Sequence, residues 1–375
     1  MARVGRTSSP SKSRGVKEKI IVKKKIKSTV GKIELKKDHP YIKGMAHNFN
    51  ISPLLQSHVL EFGYQLLFER AMKLLNTVLP IVNMGSSQSQ RLMHHFGQLS
   101  EVEEALITKG FETEQCSKEN KEVLYAQVDG GHMLTDDGYR ETKVGRIFKG
   151  SDIKRISTDN EGVELRNKLE QSDYLANLGY YQSFTKRFDQ LIKSHFKKDK
   201  YTLVLISDGA EWIANWQLEK YPSAIMILDF YHALEHLGVY AKMIFNSAEN
   251  KEHWIAKRKE ELLNGELNKV ITAIQKKSLG RRAAIQEKAK TLITYYEKNR
   301  FRMKYDQYLK QGYCIGSRAI ESAISTVVQQ RCKLVGQRWT KRVKAVLNIR
   351  ALYMNNKKEK LLKIINTQMG HLIAA

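Results

Sequence analysis

The feature that most constrains this chain is a pair of short apolar runs near its middle, each closed by an acid. "YTLVLISDGA" runs into Asp208 and Gly209, and "SAIMILDFYH" runs into Asp229. Short runs rich in Val, Ile and Leu and bounded by turn residues are the pattern of strands buried on both faces. The intervening "WIANWQLEKYP" reads as a short helix. Upstream, "EVLYAQVDGG" is a strand ending at Asp129, followed by two glycines. "YRETKVGRIFKG" alternates after the turn residues Asp136, Asp137 and Gly138, which predicts a hairpin, and "DIKRIST" supplies a third strand. Helical periodicity spans Leu165 to Lys197. The predicted order is three strands, helix, strand, helix, strand.

Three antiparallel strands followed by alternating helix and strand is the order of a ribonuclease-H-like mixed sheet, so the fold class expected is α/β. In that order the first and fourth strands adjoin. Asp129 and Asp208 would then stand side by side at a sheet rim, where open α/β sheets build their sites, and could share a metal ion. The competing reading is that each Asp-Gly pair only turns the chain. Their position on two strands expected to adjoin favours a site. Clamping an in-line phosphoryl transfer between two cations calls for a third carboxylate. Glu321 is the candidate, at the border of the core-facing stripe formed by Ile320, Ala323, Ile324, Val327 and Val328. An ordinary surface glutamate is the alternative there.

Spacing sets the organisation. Asp129 and Asp208 are 79 residues apart, whereas Asp208 and Glu321 are 113 apart. The second gap needs an inserted helical domain, and the charged, helical stretch from Glu235 to Lys310 fits that need. The reading divides the chain into a basic arm (1–50), a helical N-terminal region (51–120), a first core segment (121–236), a helical insertion (237–310), the last core helices (311–356) and a tail (357–375). Within the N-terminal region a stripe of Leu60, Tyr64, Leu67, Ala71, Leu74 and Val78 predicts one helix from Leu54 to Val78. Two shorter helices, Ser87 to Phe96 and Ser100 to Lys109, are expected around "GQLS", with Ser100 and Glu103 as a capping box. Such a pair is either a helical hairpin or a DNA-reading helix-turn-helix.

Charge points to the partner. The 64 Lys and Arg against 39 Asp and Glu leave a net +25, which calls for a polyanion. Residues 1 to 38 carry a dense basic run, expected as a solvated tail or an electrostatic DNA arm. Basic residues recur in the body: Lys257, Arg258 and Lys259, then Lys276 to Arg282, then a cluster from Arg318 to Arg350. Arg318, Arg331, Lys333, Arg338, Lys341 and Arg342 are the candidate phosphate contacts, with Lys344 beside them. A hydrophobic content of 42% excludes wholesale disorder. No apolar run is long enough for a membrane span, and the first residues lack the apolar stretch of a secretory signal. A cytoplasmic, nucleoid-associated protein is expected. Cys116, Cys314 and Cys332 are odd in number and far apart, so neither a disulfide framework nor a zinc cluster is expected.

One motif competes. "DFYHALEH" holds His232, Glu235 and His236 in the order H-x-x-E-H, a zinc-peptidase signature when it lies on a helix. The strand just upstream leaves few residues for that helix, and no third ligand is assigned. The other reading puts Asp229 and His232 beside the acids in a supporting role.

"YAQVDGG", "LVLISDGAEWIANWQLEKYPSAIMILDFYHALEHL" and "IGSRAIESAISTVVQQRCKLVGQRWTKRVKAVLNIRALYMN" resemble the DDE transposases of bacterial insertion sequences, in particular the Kra-type group. The resemblance runs from about Tyr125 to Met354. It implies a ribonuclease-H-like core with an all-helical insertion before the last acid. It also implies Asp129, Asp208 and Glu321 as catalytic acids holding two Mg²⁺ or Mn²⁺ ions. Asp229 and His232 match the family's "DFYH" block and Trp339 its "RW" block, a DNA contact by that resemblance. Arg318 stands where the family often has glycine, and no cysteine-rich segment precedes the core. The implied partners are the double-stranded DNA of element ends and target, and further copies of the chain. A catalytically inactive DNA-binding relative would need the basic surface alone.

Overall fold

The computed structural model describes residues 23–43, 49–107, 121–156, 166–197, 200–316 and 323–367. The chain enters through a hairpin of β1 (Lys23–Ser28) and β2 (Gly31–Lys36), then a short α1 (Pro40–Lys43). The basic run is thus not wholly a tail. Ile26 is buried, and Lys27 exchanges backbone hydrogen bonds with Asn50 and Ser52.

Three helices follow: α2 (Pro53–Gln65), α3 (Phe68–Val78) and α4 (Ser86–Ile107). The single helix expected over Leu54–Val78 breaks at Leu66 and Leu67, both extended, so Leu67, Leu74 and Val78 of the expected stripe are exposed. The expected pair of helices around "GQLS" is one continuous α4, and the helix-turn-helix is therefore absent there. Gly97 does not break the helix because it lets another helix approach. A Cβ at Gly97 would stand 2.3 Å from the Ala345 carbonyl oxygen. Ser100 is buried mid-helix and donates to the Gly97 carbonyl rather than capping.

The central sheet is built from β3 (Glu122–Thr135), β4 (Gly138–Lys149), β7 (Asp173–Leu178), β8 (Tyr201–Ser207) and β9 (Ile225–Leu228), ordered β7-β4-β3-β8-β9; β5 (Ile153–Ile156) and β6 (Arg166–Leu169) form a separate ribbon. β8 and β9 run parallel to β3, while β4 is antiparallel to both of its neighbours. The third expected strand, "DIKRIST", belongs to the ribbon. Its place in the sheet is taken by β7, inside the region read as helical. The helix begins only after Gly179, as α5 (Tyr181–His195). Next come α6 (Glu211–Lys220) and α7 (Phe230–Ile244), and the segment expected as an insertion holds α8 (Ala248–Leu263), α9 (Leu267–Ser278), α10 (Ala283–Asn299) and α11 (Tyr305–Lys310).

After Gly316 the description resumes at Ala323, enters a π-helical turn (Ser325–Gln329) and continues as α12 (Gln330–Cys332), α13 (Val343–Met354) and α14 (Lys358–Thr367). Ala323, Ile324, Val327 and Val328 are all buried, as their spacing predicted, while Ile320 lies outside the described residues.

Side chains alternate across the sheet because successive strand residues face opposite ways. Leu124, Ala126, Val128, Leu203 and Leu205 pack under Phe184, Phe188, Ile213 and Trp216 of α5 and α6. The other face is shared. Tyr125, Phe148, Val204 and Ile206 pack with the insertion, whereas Met133, Val144 and Ala176 pack with the helices of both chain ends. Among the described residues no helix is long and apolar enough to cross a membrane.

Candidate active site

The register of the parallel strands places the acids. Val128 pairs with Ser207, and Ser207 with Leu228. The residues that follow these three are Asp129, Asp208 and Asp229. One row of the sheet therefore ends in three neighbouring carboxylates, with adjacent strands about 4.8 Å apart. By alternation all three face the side shared by the insertion and the terminal helices. β3 does not stop at Asp129, as expected, but runs on to Thr135 against β4. Asp129 is instead the first β3 residue beyond the reach of β8.

Each acid has a different local environment. Asp208 is half-buried, and its side chain accepts from the Ala210 backbone amide at 3.0 Å. Gly209 has φ +88°, a conformation side chains other than glycine rarely adopt. A Cβ there would also meet Leu228 Cδ1 at 2.7 Å, so the turn carrying Asp208 is tightly held. Asp129 is half-buried. Asp229 is buried and caps α7, accepting from the amides of Tyr231 and His232 at 2.9 and 3.0 Å. Its backbone amide donates to the Ser207 carbonyl at 2.8 Å, which ties the cap to the row. Two of the free amides in the first turn of α7 are thereby satisfied. Asp229 thus holds the helix that carries His232.

His232 lies in the first turn of α7, so the whole H-x-x-E-H segment is helical, contrary to expectation: the strand ends at Leu228 and the cap sits at Asp229. The two imidazoles meet at 3.2 Å between Nε2 atoms, and Glu235 approaches His232 at 3.6 Å. Burial first, then His232 and Lys288, push the His236 pKa below the ordinary histidine value; Glu235 and Asp208 act the other way. Among the described residues no group of three or more His, Cys, Asp or Glu stands close enough to hold a metal ion. The pair therefore has no third protein ligand among them, and Asp129, Asp208 and Asp229, although neighbours in the row, do not converge into such a group either.

Long-range contacts that no local signal announces brace this edge. The Tyr295 hydroxyl donates to the Asp208 carbonyl at 2.9 Å, and its ring lies 4.6 Å from that of His236. Burial first, then the charges of Asp208 and Asp229, raise the Tyr295 pKa and keep the phenol protonated. Tyr305 and Tyr308 donate to the carbonyls of Leu228 and Met226, each at 3.1 Å. Arg302 reaches Ser207 Oγ at 3.3 Å beneath the row.

Glu321 and Arg318 lie outside the described residues. Among the described residues, Ile324 packs on β3: a Cβ built on Gly131, two residues past Asp129, would lie 3.4 Å from Ile324 Cγ2. The described segment from Ala323 onward therefore packs on β3 close to Asp129.

The basic candidates divide. Lys333, Arg338, Lys341 and Arg342 are exposed; Arg338 pairs with Asp136 at 3.2 Å and Lys341 with Asp137 at 3.4 Å. Arg331 is not a surface contact. It is fully buried, donates from Nε to the Gly63 carbonyl at 3.2 Å and lies against the rings of Phe68 and Trp339. Its guanidinium is packed against aromatic rings and fully buried, out of direct contact with a duplex phosphate. Trp339 is also mostly buried, its indole donating to the Cys332 carbonyl at 3.0 Å. Arg258 is buried in an ion pair with Glu261, and Lys344 is paired with Glu101 at 2.6 Å.

Residues 82–367 match the family described as Uncharacterised protein family (UPF0236), and the chain belongs to that family. No curated protein matches the chain.

Proposed function

We propose that this protein is a DDE-type transposase, cleaving DNA at element ends and joining them to a target with Asp129, Asp208 and Glu321 as its acids. The observation that carries the reading is the row itself: Asp129 and Asp208 follow paired residues on adjacent parallel strands, on one face. The strand order and the helical stretch before residue 321 support a ribonuclease-H-like core with an insertion. The donor set suits a hard divalent cation. Mg²⁺ takes oxygen ligands and is commonly held by one or two carboxylates plus substrate phosphate oxygens, and Asp129 and Asp208 present carboxylate oxygens from adjoining strands. Together with Glu321 they would hold Mg²⁺ or Mn²⁺, which when bound supplies charge stabilisation at a phosphoryl group and a more acidic nucleophile.

The chain's own residues then have separable tasks. Gly209 and the Ala210 amide orient Asp208. Asp229 caps α7 and so sets the position of His232 in its first turn. Tyr295 pins the Asp208 backbone from the insertion. Exposed Lys333, Arg338, Lys341 and Arg342 supply positive charge for duplex phosphates, and copies of the chain would assemble on the two ends. The test is Mg²⁺-dependent nicking of supercoiled DNA carrying the element's ends. Wild type is expected to nick and Glu321→Gln to bind DNA without nicking. A Glu321→Gln variant that nicks at the wild-type rate removes Glu321 from the site. DNA binding should also weaken steeply with salt.

A further inference from the structure

Beyond the acids, β3 leads to a second concave site. Its last residue bridges to Trp339: the Trp339 amide donates to the Leu134 carbonyl, and the Asp136 amide to the Trp339 carbonyl. Around this junction lies a cavity of about 320 Å³, within the range of small-ligand pockets. Its apolar floor comes from Phe68, Trp339, Met93 and Val346. Gln90 and Gln337 offer amides, and Arg338 and Arg342 stand at the rim. No carboxylate is among the lining residues, although Asp136 engages Arg338 from outside. The other two described pockets are each lined by at least one glutamate.

Arg331 gives this pocket a built cation. It lines the cavity while fully buried, and neither of its Nη groups has a hydrogen-bond partner among the described residues. Burial pushes its pKa down to about 10, so the charge persists at neutral pH. A buried cation met only by ring faces and one carbonyl is under-compensated. An anion at the rim would offset it through a low-dielectric wall. His94 also lines the cavity, its pKa lowered first by burial and then by the charge of Arg342.

Aromatic rings, two side-chain amides and a cationic rim without lining acids match a flat heterocycle bearing a phosphate. We infer that this pocket binds one nucleotide unit, its base against Phe68 and Trp339 and its phosphate toward Arg338 and Arg342. The inference rests on the DNA-cleaving reading where that nucleotide belongs to a DNA strand, and stands alone where it is free. Six residues of β3 separate Asp129 from Thr135, about 20 Å at the usual strand rise. A strand cleaved at the acids would therefore reach the pocket with a nucleotide lifted out of the duplex, about half a turn away at 3.4 Å per base pair.

The experiment uses the full chain and three probes: a duplex with one unpaired 2-aminopurine, the same duplex fully paired, and free deoxyadenosine monophosphate. Wild type should bind the unpaired probe on the order of tenfold tighter than the paired one, the scale of one base stacked on an aromatic ring. Gln90 is exposed on α4, so Gln90→Trp should plug the cavity without unfolding the chain. The plugged variant is expected to lose the preference and keep its affinity for paired duplex and its thermal unfolding midpoint. Competition by the free nucleotide would assign the site to a small ligand, and its absence would assign it to the strand. An equal affinity for both duplexes with no nucleotide binding overturns the inference, as does a preference that survives the plug. Nicking measured in parallel separates the two readings, since nicking without the preference overturns the pocket alone.

Discussion

Two helical bodies share one face of the sheet and secure their contacts with different chemistry. The insertion does so mainly through neutral hydroxyls: Tyr295, Tyr305 and Tyr308 donate to carbonyls at the ends of β8 and β9, with Arg302 below them. The terminal helices use buried guanidiniums. Arg350 donates to the carbonyls of Tyr64 and Thr326 and to Gln330, and Arg331 donates to Gly63. A phenol brings one donor and a large apolar body, so its burial costs little once the hydroxyl is bonded. A guanidinium brings a charge whose desolvation is offset only where several acceptors meet it. The insertion side is thus held by single, replaceable hydrogen bonds, and the terminal side, at Arg350, by a cluster of acceptors around one charge that cannot be removed cheaply.

The largest expected effect lies on the terminal side. Arg350→Ala strips partners from two buried carbonyls and leaves a void, and should cost about 3 kcal/mol in chemical unfolding. A loss below about 1 kcal/mol would erase the contrast between the two clamps. Next comes Tyr295→Phe, which removes one hydrogen bond to the Asp208 carbonyl. It should cost about 1 kcal/mol of stability and lower the nicking rate more than it lowers DNA affinity. Equal losses in both would reduce Tyr295 to a packing residue.

Arg331 sharpens the comparison in the opposite direction. Its guanidinium meets one carbonyl and two rings, so Arg331→Met should fall within about 1 kcal/mol of wild type or exceed it in thermal unfolding. A loss as large as that of Arg350→Ala would show that the ring contacts matter as much as hydrogen bonds. The smallest effect on stability belongs to the exposed cations. Lys341→Ala should change unfolding by less than about 0.5 kcal/mol while reducing the salt dependence of DNA binding by roughly one phosphate contact. An unchanged salt slope would take Lys341 off the DNA-facing surface.

What the sequence disclosed followed the range of each signal. The runs ending at Asp208 and Asp229 were readable because burial, length and the closing acid all lie within ten residues. The adjacency of Asp129 and Asp208 followed from element order. Asp173–Leu178 was lost in a helical reading because a six-residue strand has no room to show its period before α5 begins. Gly97 read as a break because its role, close approach to Ala345, is set by a helix some 250 residues away. The burial of Arg331 was invisible for the same reason: the rings of Phe68 and Trp339 and the Gly63 carbonyl come from three separate segments. Tyr295 carried no signal at all within a charged helix. Local chemistry was legible, and its long-range support was not.

The central claim is that Asp129 and Asp208 act as one unit in metal-dependent DNA cleavage. Mg²⁺-dependent nicking by wild type, Asp129→Asn, Asp208→Asn and the double variant, at matched DNA occupancy, tests it most directly. Each single substitution should abolish nicking, and the double should lose nothing further, because residues that work as a unit fail together. Nicking by Asp129→Asn at the wild-type rate would contradict the account.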